Sequence, residues 1–115
     1  MSEIRLGAVE SKFADIIWNN EPLRPVELEK LAEAELNWKR TTTLTILKRL
    51  CERGIFQNKD RIITSLISRE EFYALQSEKF VNDTFEGSLP AFLTAFGSRK
   101  KLSDKEVEEL KKVID

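Results

Sequence analysis

The sequence contains no histidine and only one cysteine, Cys51, among its 115 residues. Without histidine the chain lacks the commonest metal ligand and the commonest acid/base group, which excludes Cys/His zinc sites and histidine-based catalysis. A single cysteine also excludes an intrachain disulfide. The four glycines form no Gly-rich phosphate loop that could hold a nucleotide beside a carboxylate or lysine. We therefore expect no enzymatic activity, no metal and no cofactor.

Long apolar runs are absent as well. No stretch of about 18 apolar residues could span a bilayer, and the first ten residues do not have the pattern of a signal peptide. A cytoplasmic location is therefore expected. A chain of this length can build one modest core, so any appendage to that core is expected to need a partner chain.

Charge is distributed unevenly along the chain, although the net charge is only −1. Residues 1–38 carry a net charge of −4, residues 39–61 carry +5 and residues 62–115 carry −2. A short basic segment inside an acidic chain is typical of a surface that binds a polyanion. A solvated helix face that happens to be basic is the alternative.

Hydrophobic periodicity predicts three helices in the first half of the chain. The first covers about residues 7–19 and is expected to carry one apolar stripe of Val9, Phe13, Ile16 and Ile17. The second is short and acidic and begins at Pro25, a residue that suits the first turn of a helix. The third covers about residues 40–53.

Gly54 is expected to end the third helix in a left-handed conformation, and a β-hairpin follows. The tip of the hairpin is predicted at residues 58–60, with the turn type left open. Three more helices are predicted at about residues 69–86, 89–97 and 104–114. Each follows a serine that can cap it, namely Ser68, Ser88 and Ser103. The predicted fold class is therefore mainly α with a small β-hairpin.

Three helices followed by a hairpin are the element order of a winged helix-turn-helix, in which the third helix enters the DNA major groove. One face of the predicted third helix is apolar, whereas the opposite face combines threonine hydroxyls with basic side chains. Threonine is a poor helix former, so its repeated use on this face needs another reason. We expect double-stranded DNA to be bound by Lys39, Arg40, Thr41, Thr42, Thr45, Lys48, Arg49, Lys59 and Arg61. A winged helix that binds protein and not DNA is the alternative.

The C-terminal helices carry more phenylalanine than three short helices can bury by themselves. Each large apolar side chain left in water would cost roughly 2 kcal/mol. We therefore predict a winged-helix DNA-binding domain at residues 1–68 and a helical dimerisation region at residues 69–115. The predicted homodimer interface comprises Phe80, Phe85, Leu89, Phe92, Leu93, Phe96, Val107, Leu110 and Ile114. Packing of these helices onto the winged helix of the same chain is the alternative.

Three segments of the chain contain residue patterns that occur in the same order and with the same spacing in one known family. They are Glu10 with Ile16-Ile17-Trp18; Trp38 with Thr42, Thr45, Arg49, Leu50 and Gly54; and Phe85-Glu86-Gly87-Ser88-Leu89-Pro90-Ala91 with Leu102-Ser103, Glu106, Glu109 and Leu110. In these segments the chain resembles the penicillinase repressor (BlaI/MecI/CopY) family of bacterial transcriptional regulators. The resemblance implies a homodimeric repressor that binds a palindromic operator.

The resemblance also implies a membrane-bound sensor protease as a partner, because antibiotic-responsive members of the family are cleaved in the dimerisation region. That cleavage falls between an asparagine and a phenylalanine, and the matching pair here is Ala95 and Phe96, a departure at the first position. The C-terminal cysteine cluster of copper-responsive members is missing. Lys39-Arg40 stands where Ser-Pro often opens the recognition helix, and the hairpin tip is shorter, so base preference and hairpin contacts are expected to differ.

Overall fold

A computed structural model describes residues 6–115, which form six helices and one two-stranded antiparallel hairpin. The helices are α1 (Ala8–Asn20), α2 (Pro25–Leu36), α3 (Arg40–Glu52), α4 (Arg69–Phe85), α5 (Leu89–Arg99) and α6 (Asp104–Ile114), and the strands are β1 (Phe56–Lys59) and β2 (Ile62–Ser65). This is a winged helix followed by a helical region, which confirms the predicted fold class. Within the described part of the chain, no helix is both long enough and apolar enough to cross a bilayer.

Helices α1 and α2 pack through the apolar stripes that the periodicity predicts. Phe13 and Ile17 of α1 and Leu28 of α2 are completely buried. The prediction for Val9 was wrong: its side chain is 50% exposed, and the buried part of the stripe begins one turn later, at Phe13. Pro25 occupies the start of α2, as predicted, where its missing N–H costs no helical hydrogen bond.

Helix α3 ends in a Schellman motif. Gly54 has a φ of 80°, and its N–H donates to the carbonyl of Cys51, while the N–H of Ile55 donates to the carbonyl of Leu50. Only glycine adopts this backbone conformation without steric cost, so the predicted left-handed glycine is confirmed. The motif turns the chain from α3 directly into the hairpin.

The hairpin pairs β1 with β2 in the register Phe56 with Ser65 and Lys59 with Ile62. Phe56 and Ile63 point into the core and are completely buried. Ile63 also forms an isolated bridge to Leu23 in the link between α1 and α2. The hairpin is thus tied both to α3 by covalent continuity and to the α1–α2 link by backbone hydrogen bonds.

The chain divides into two compact units within α4, the first extending to Gln76 and the second covering Ser77–Asp115. The predicted boundary after residue 68 lies before this helix. Phe72 in the first half of α4 is 1% exposed and belongs to the core of the first unit, where its ring lies 5.7 Å from that of Trp18. The indole N–H of Trp18 donates to the carbonyl of Ile67, which also holds the start of α4 to α1.

The second unit comprises the end of α4 together with α5 and α6. Ser88 is the N-cap residue of helix α5, and its hydroxyl accepts the N–H of Ala91 at 3.1 Å. Helix α6 begins with a complete capping box between Ser103 and Glu106. Both predicted caps are confirmed, and they satisfy backbone N–H groups that would otherwise lack partners. No side chain of this unit is fully buried.

Candidate nucleic-acid interface

Helix α3 presents a polar face to solvent and an apolar face to the core. Thr43, Leu47 and Leu50 are buried, and the hydroxyl of Thr43 is satisfied by donating to the carbonyl of Lys39. The predicted DNA-binding residues of the helix are all exposed: Arg40, Thr41, Thr42, Thr45, Lys48 and Arg49. A periodicity of 3.6 residues per turn predicts this division, since each threonine of the outer face lies opposite the buried leucines.

The first turn of α3 is electropositive. Lys39 is the N-cap residue and is exposed, no side chain caps the helix, and the first turn contains no acidic residue. Backbone N–H groups at a helix N-terminus carry a partial positive charge that favours anions. The threonine hydroxyls of this turn therefore lie beside donors and charge that suit a phosphate or a base edge.

Two arginines of this surface are held by carboxylates from other helices. Nε of Arg40 lies 3.2 Å from Oε1 of Glu29 on α2, and Nη1 of Arg49 lies 3.4 Å from Oε2 of Glu10 on α1. The other carboxylate oxygen of Glu10 accepts the N–H of Gly7, so this carboxylate is fixed at both oxygens. The two glutamates orient the arginines and reduce the net positive charge of this surface.

Neither glutamate was predicted as part of this site. Glu10 did belong to the family pattern, but its contact with Arg49 joins residues 39 positions apart. Arg49 itself lies in the last turn of α3, whereas base contacts of a helix-turn-helix come mainly from the N-terminal residues of the recognition helix. The structure therefore places Arg49 away from the turn that contains Thr41 and Thr42.

The hairpin tip differs from the prediction. Asn58 and Lys59 belong to β1, and the turn consists of Asp60 and Arg61, with φ angles of 54° and 61°. Two central residues with positive φ are the signature of a type I′ turn, whose twist matches that of the flanking strands. The predicted tip at residues 58–60 was therefore wrong, because the strands pair up to a two-residue loop. Lys59 and Arg61 are exposed and form no ion pair with any described residue.

The predicted dimer residues lie on the second unit and form an uncovered apolar surface. Leu89 is 52% exposed, Phe96 is 42% exposed and Ile114 is 72% exposed. The four phenylalanine rings of this unit contact one another at centroid distances between 5.6 and 6.2 Å. The rest of the predicted set is exposed or half-buried, namely Phe80, Phe85, Phe92, Leu93, Val107 and Leu110. A groove of about 390 Å³ runs between α5 and α6 in this surface.

Catalytic and metal-binding features are few. Residues 6–115 contain no group of three or more Cys, Asp or Glu side chains that could hold a metal ion. Partial burial, and then the neighbouring Glu52 carboxylate, raise the pKa of the Cys51 thiol. A raised pKa leaves the thiol protonated and unreactive, because the thiolate is the nucleophile.

The similarity of this chain to known proteins covers nearly its whole length. The family model described as penicillinase repressor matches residues 6–115. The methicillin resistance regulatory protein MecI of Staphylococcus aureus strain Mu50 is 25% identical over 114 residues, covering 96% of this chain and 93% of that protein. MecI of Mammaliicoccus sciuri is 24% identical over the same shares. The penicillinase repressor of Bacillus licheniformis is 22% identical over 115 residues, covering 96% of this chain and 90% of that protein.

Proposed function

The chain belongs to the penicillinase repressor family of transcriptional regulators, and from this premise we propose that it represses transcription as a homodimer bound to a palindromic operator. The observation that carries the proposal is the outward face of α3. Its threonine hydroxyls and basic side chains are exposed, while the opposite face is buried in the core. A surface helix that needed only to be soluble would have no reason to use three threonines here.

In the proposed complex α3 lies in the major groove and the hairpin follows the backbone. Thr41, Thr42 and Thr45 donate to phosphates or base edges, and their methyl groups contact thymine methyls. Arg49 and Arg40 contact a guanine edge or a phosphate. The remaining basic residues neutralise phosphates, namely Lys39, Lys48, Lys59 and Arg61.

The proposed dimer forms through the apolar surface of the second unit. Burying a side chain such as Leu89 or Phe96 against a second copy recovers roughly 2 kcal/mol relative to leaving it in water. A two-fold axis would present two α3 helices to half-sites about one helical turn of DNA apart. Binding by both copies then multiplies affinity through effective concentration.

We propose that the repressor acts in the cytoplasm and that a membrane-bound sensor protease is its regulatory partner. The matching cleavage site, Ala95 followed by Phe96, lies within α5. A cut there would separate Phe96 from Phe92, whose rings are in contact on the apolar surface. The dimer would weaken, and single copies would bind the operator too weakly to repress.

DNA binding is tested with the full chain, a duplex from the promoter region of its own gene and a random duplex. We expect binding to both at low salt, with tighter binding to the promoter. The logarithm of the association constant should fall with the logarithm of salt concentration by about 0.9 per phosphate contacted. No binding to either duplex at low salt would refute the proposal and favour a winged helix that binds protein.

Dimerisation is tested separately by analytical ultracentrifugation without DNA. We expect a species of twice the chain mass at micromolar concentration. A monomer that nevertheless binds promoter DNA tightly would support the DNA-binding role and refute the proposed dimer.

A further inference from the structure

Arg24 lies beside the hairpin although 35 positions separate it in sequence from Lys59, the last residue of β1. The preceding residue, Leu23, is 3% exposed and forms an antiparallel bridge with Ile63. The two backbone hydrogen bonds of this bridge measure 2.8 and 3.3 Å. Leu23 therefore adds a third, one-residue strand to the hairpin and fixes the position of the backbone that follows it.

The backbone of Arg24 is fixed by hydrogen bonds, whereas its side chain has no ion-pair partner among residues 6–115. Arg24 is the N-cap residue of α2, and its N–H donates to the Oε1 of Glu27 at 2.7 Å. Its side chain is exposed and forms no ion pair with any residue in the range 6–115. A guanidinium on a fixed backbone, without a carboxylate partner, is available to an external anion.

Three arginines from three different elements line one depression of about 530 Å³. They are Arg24 at the start of α2, Arg40 at the start of α3 and Arg61 in the hairpin turn. Two carboxylates, Glu29 and Asp60, line the same depression, and Glu29 is paired with Arg40. The charged side chains of the depression thus leave a surplus of one positive charge, which matches a single phosphate group.

We propose that Arg24 is a further DNA-binding residue that holds a backbone phosphate in this depression. The inference rests on the proposed function, because it assigns one more contact to the same DNA complex. Arg40 belongs to the recognition helix and Arg61 to the hairpin. In the proposed complex, the DNA strand that runs between these two elements crosses the depression. The N-terminus of α2 adds its partial positive charge at the same place, and the first helix of a helix-turn-helix crosses the DNA backbone.

Arg24 was not predicted because it belongs to the acidic segment of residues 1–38. Counting charge along the chain cannot detect a basic residue that the Leu23–Ile63 bridge brings to the basic surface. A phosphate contact carries no direct sequence information, so Arg24 should contribute equally to operator and random DNA.

The test measures the salt dependence of binding to a random duplex for the full chain and three variants. Arg24→Ala removes the proposed contact, and Arg24→Lys keeps its charge. Lys12→Ala is the control, because Lys12 is an exposed cation of the same unit that lines a separate depression with Asp15. All three should unfold thermally like the wild type, since none of these side chains is buried.

We expect Arg24→Ala to reduce the salt slope by about 1.8 per dimer, that is about 0.9 for one phosphate in each copy. Arg24→Lys should retain most of the slope, and Lys12→Ala should retain all of it. Equal slopes for Arg24→Ala and Lys12→Ala would overturn the assignment while wild-type binding still supports the proposed function. Absence of DNA binding by the wild type would instead overturn the proposed function itself.

Discussion

The two units of the chain differ in how they treat hydrophobic side chains. The unit that ends at Gln76 contains every fully buried hydrophobic residue of the described chain, including Phe13, Phe56 and Phe72. The unit Ser77–Asp115 has none, and Leu89 and Phe96 are about half exposed. The first unit therefore has its own core, whereas the second leaves large apolar side chains exposed, which is typical of an interaction surface.

Ion pairs follow the same division. In the first unit they join different elements, as when Arg49 of α3 pairs with Glu10 of α1. In the second unit Lys79 and Asp83 lie one helical turn apart on α4. Such local pairs contribute only about 0.3 to 0.5 kcal/mol and do not fix one helix against another. The tertiary arrangement of the second unit thus depends on apolar contacts more than on electrostatics.

The largest expected effect comes from opening the core of the first unit. Phe56→Ala should lower its free energy of unfolding by about 3 to 5 kcal/mol, because the side chain is completely buried and its ring lies 5.2 Å from that of Trp18. Both tryptophans of the chain, Trp18 and Trp38, belong to this unit, so urea denaturation followed by tryptophan fluorescence reports on it.

Phe96→Ala is the matched control, since it removes the same side chain from the other unit. We expect it to leave the fluorescence transition close to that of the wild type. A large shift for Phe96→Ala, or a small one for Phe56→Ala, would contradict the division into a unit with a core and a unit without one.

The next effect concerns the proposed dimer. Leu89→Ala and Phe92→Ala should each weaken self-association by about 1 to 2 kcal/mol per copy, which is an increase of about 30-fold or more in the dimer dissociation constant. Leu89 is the sharper test, because a side chain that is 52% exposed within one chain contributes little to internal packing. Sedimentation equilibrium measures the constant.

Leu66→Ala is the control for this prediction, because Leu66 is 54% exposed but lies in the first unit. It should leave the dimer unchanged. Equal weakening by Leu66→Ala would place the interface elsewhere than on the second unit.

The features that could be predicted from sequence are those that depend on residues close together in the chain. Local signals were sufficient for α3 and its two faces, for Gly54, and for the caps at Ser88 and Ser103, because each depends on residues within two helical turns. The hairpin was predicted but its tip was not, since arginine is not a residue that signals a turn with positive φ. The backbone at Arg61 adopts that conformation because strand pairing continues to Lys59 and Ile62.

Contacts between distant residues could not be predicted in this way. The pairs of Arg40 with Glu29 and Arg49 with Glu10 exist only once the helices have packed. Phe72 illustrates the same limit. It follows the Ser68 cap in a helix that continues into the second unit, yet its side chain belongs to the first core. No periodic pattern within α4 reveals which of its phenylalanines packs against which unit.

A smaller effect is expected on the outer surface of the first unit. Arg49→Ala should weaken operator binding by about 1 to 3 kcal/mol and, if Arg49 contacts a base, relax the preference for the operator. Lys59→Ala, in the hairpin, should weaken operator and random DNA alike. Fluorescence anisotropy measures the dissociation constant of each variant for both duplexes, and thus its ratio of operator to random-DNA affinity. Neither variant should alter the dissociation constant of the dimer.

Equal losses for Arg49→Ala and Lys59→Ala on both duplexes would show that Arg49 contacts only phosphate. Its place in the last turn of α3 and its pairing with Glu10 make this comparison informative. Glu10→Gln separates the two roles further, because it frees Arg49 without removing it. A base-contacting Arg49 should lose operator preference when Glu10 no longer orients it, whereas a phosphate contact should strengthen on all DNA.

The smallest expected effect lies at the start of α6, where a helix without buried residues depends on its cap. The backbone N–H and then the hydroxyl of Ser103 hold the pKa of the Glu106 carboxyl below its ordinary value. This contribution to helix stability is therefore present above the ordinary glutamate pKa and is lost as the pH falls through the lowered one. Ser103→Ala removes the hydroxyl but keeps the backbone N–H, so it should raise the pKa of Glu106 only part of the way toward its ordinary value, as followed by carboxyl NMR titration. Loss of the serine cap should also destabilise α6 by about 1 kcal/mol. Ser68→Ala, at the corresponding cap of α4, should leave the Glu106 titration unchanged. A pKa of Glu106 in Ser103→Ala equal to that of the wild type would contradict the contribution assigned to the Ser103 hydroxyl.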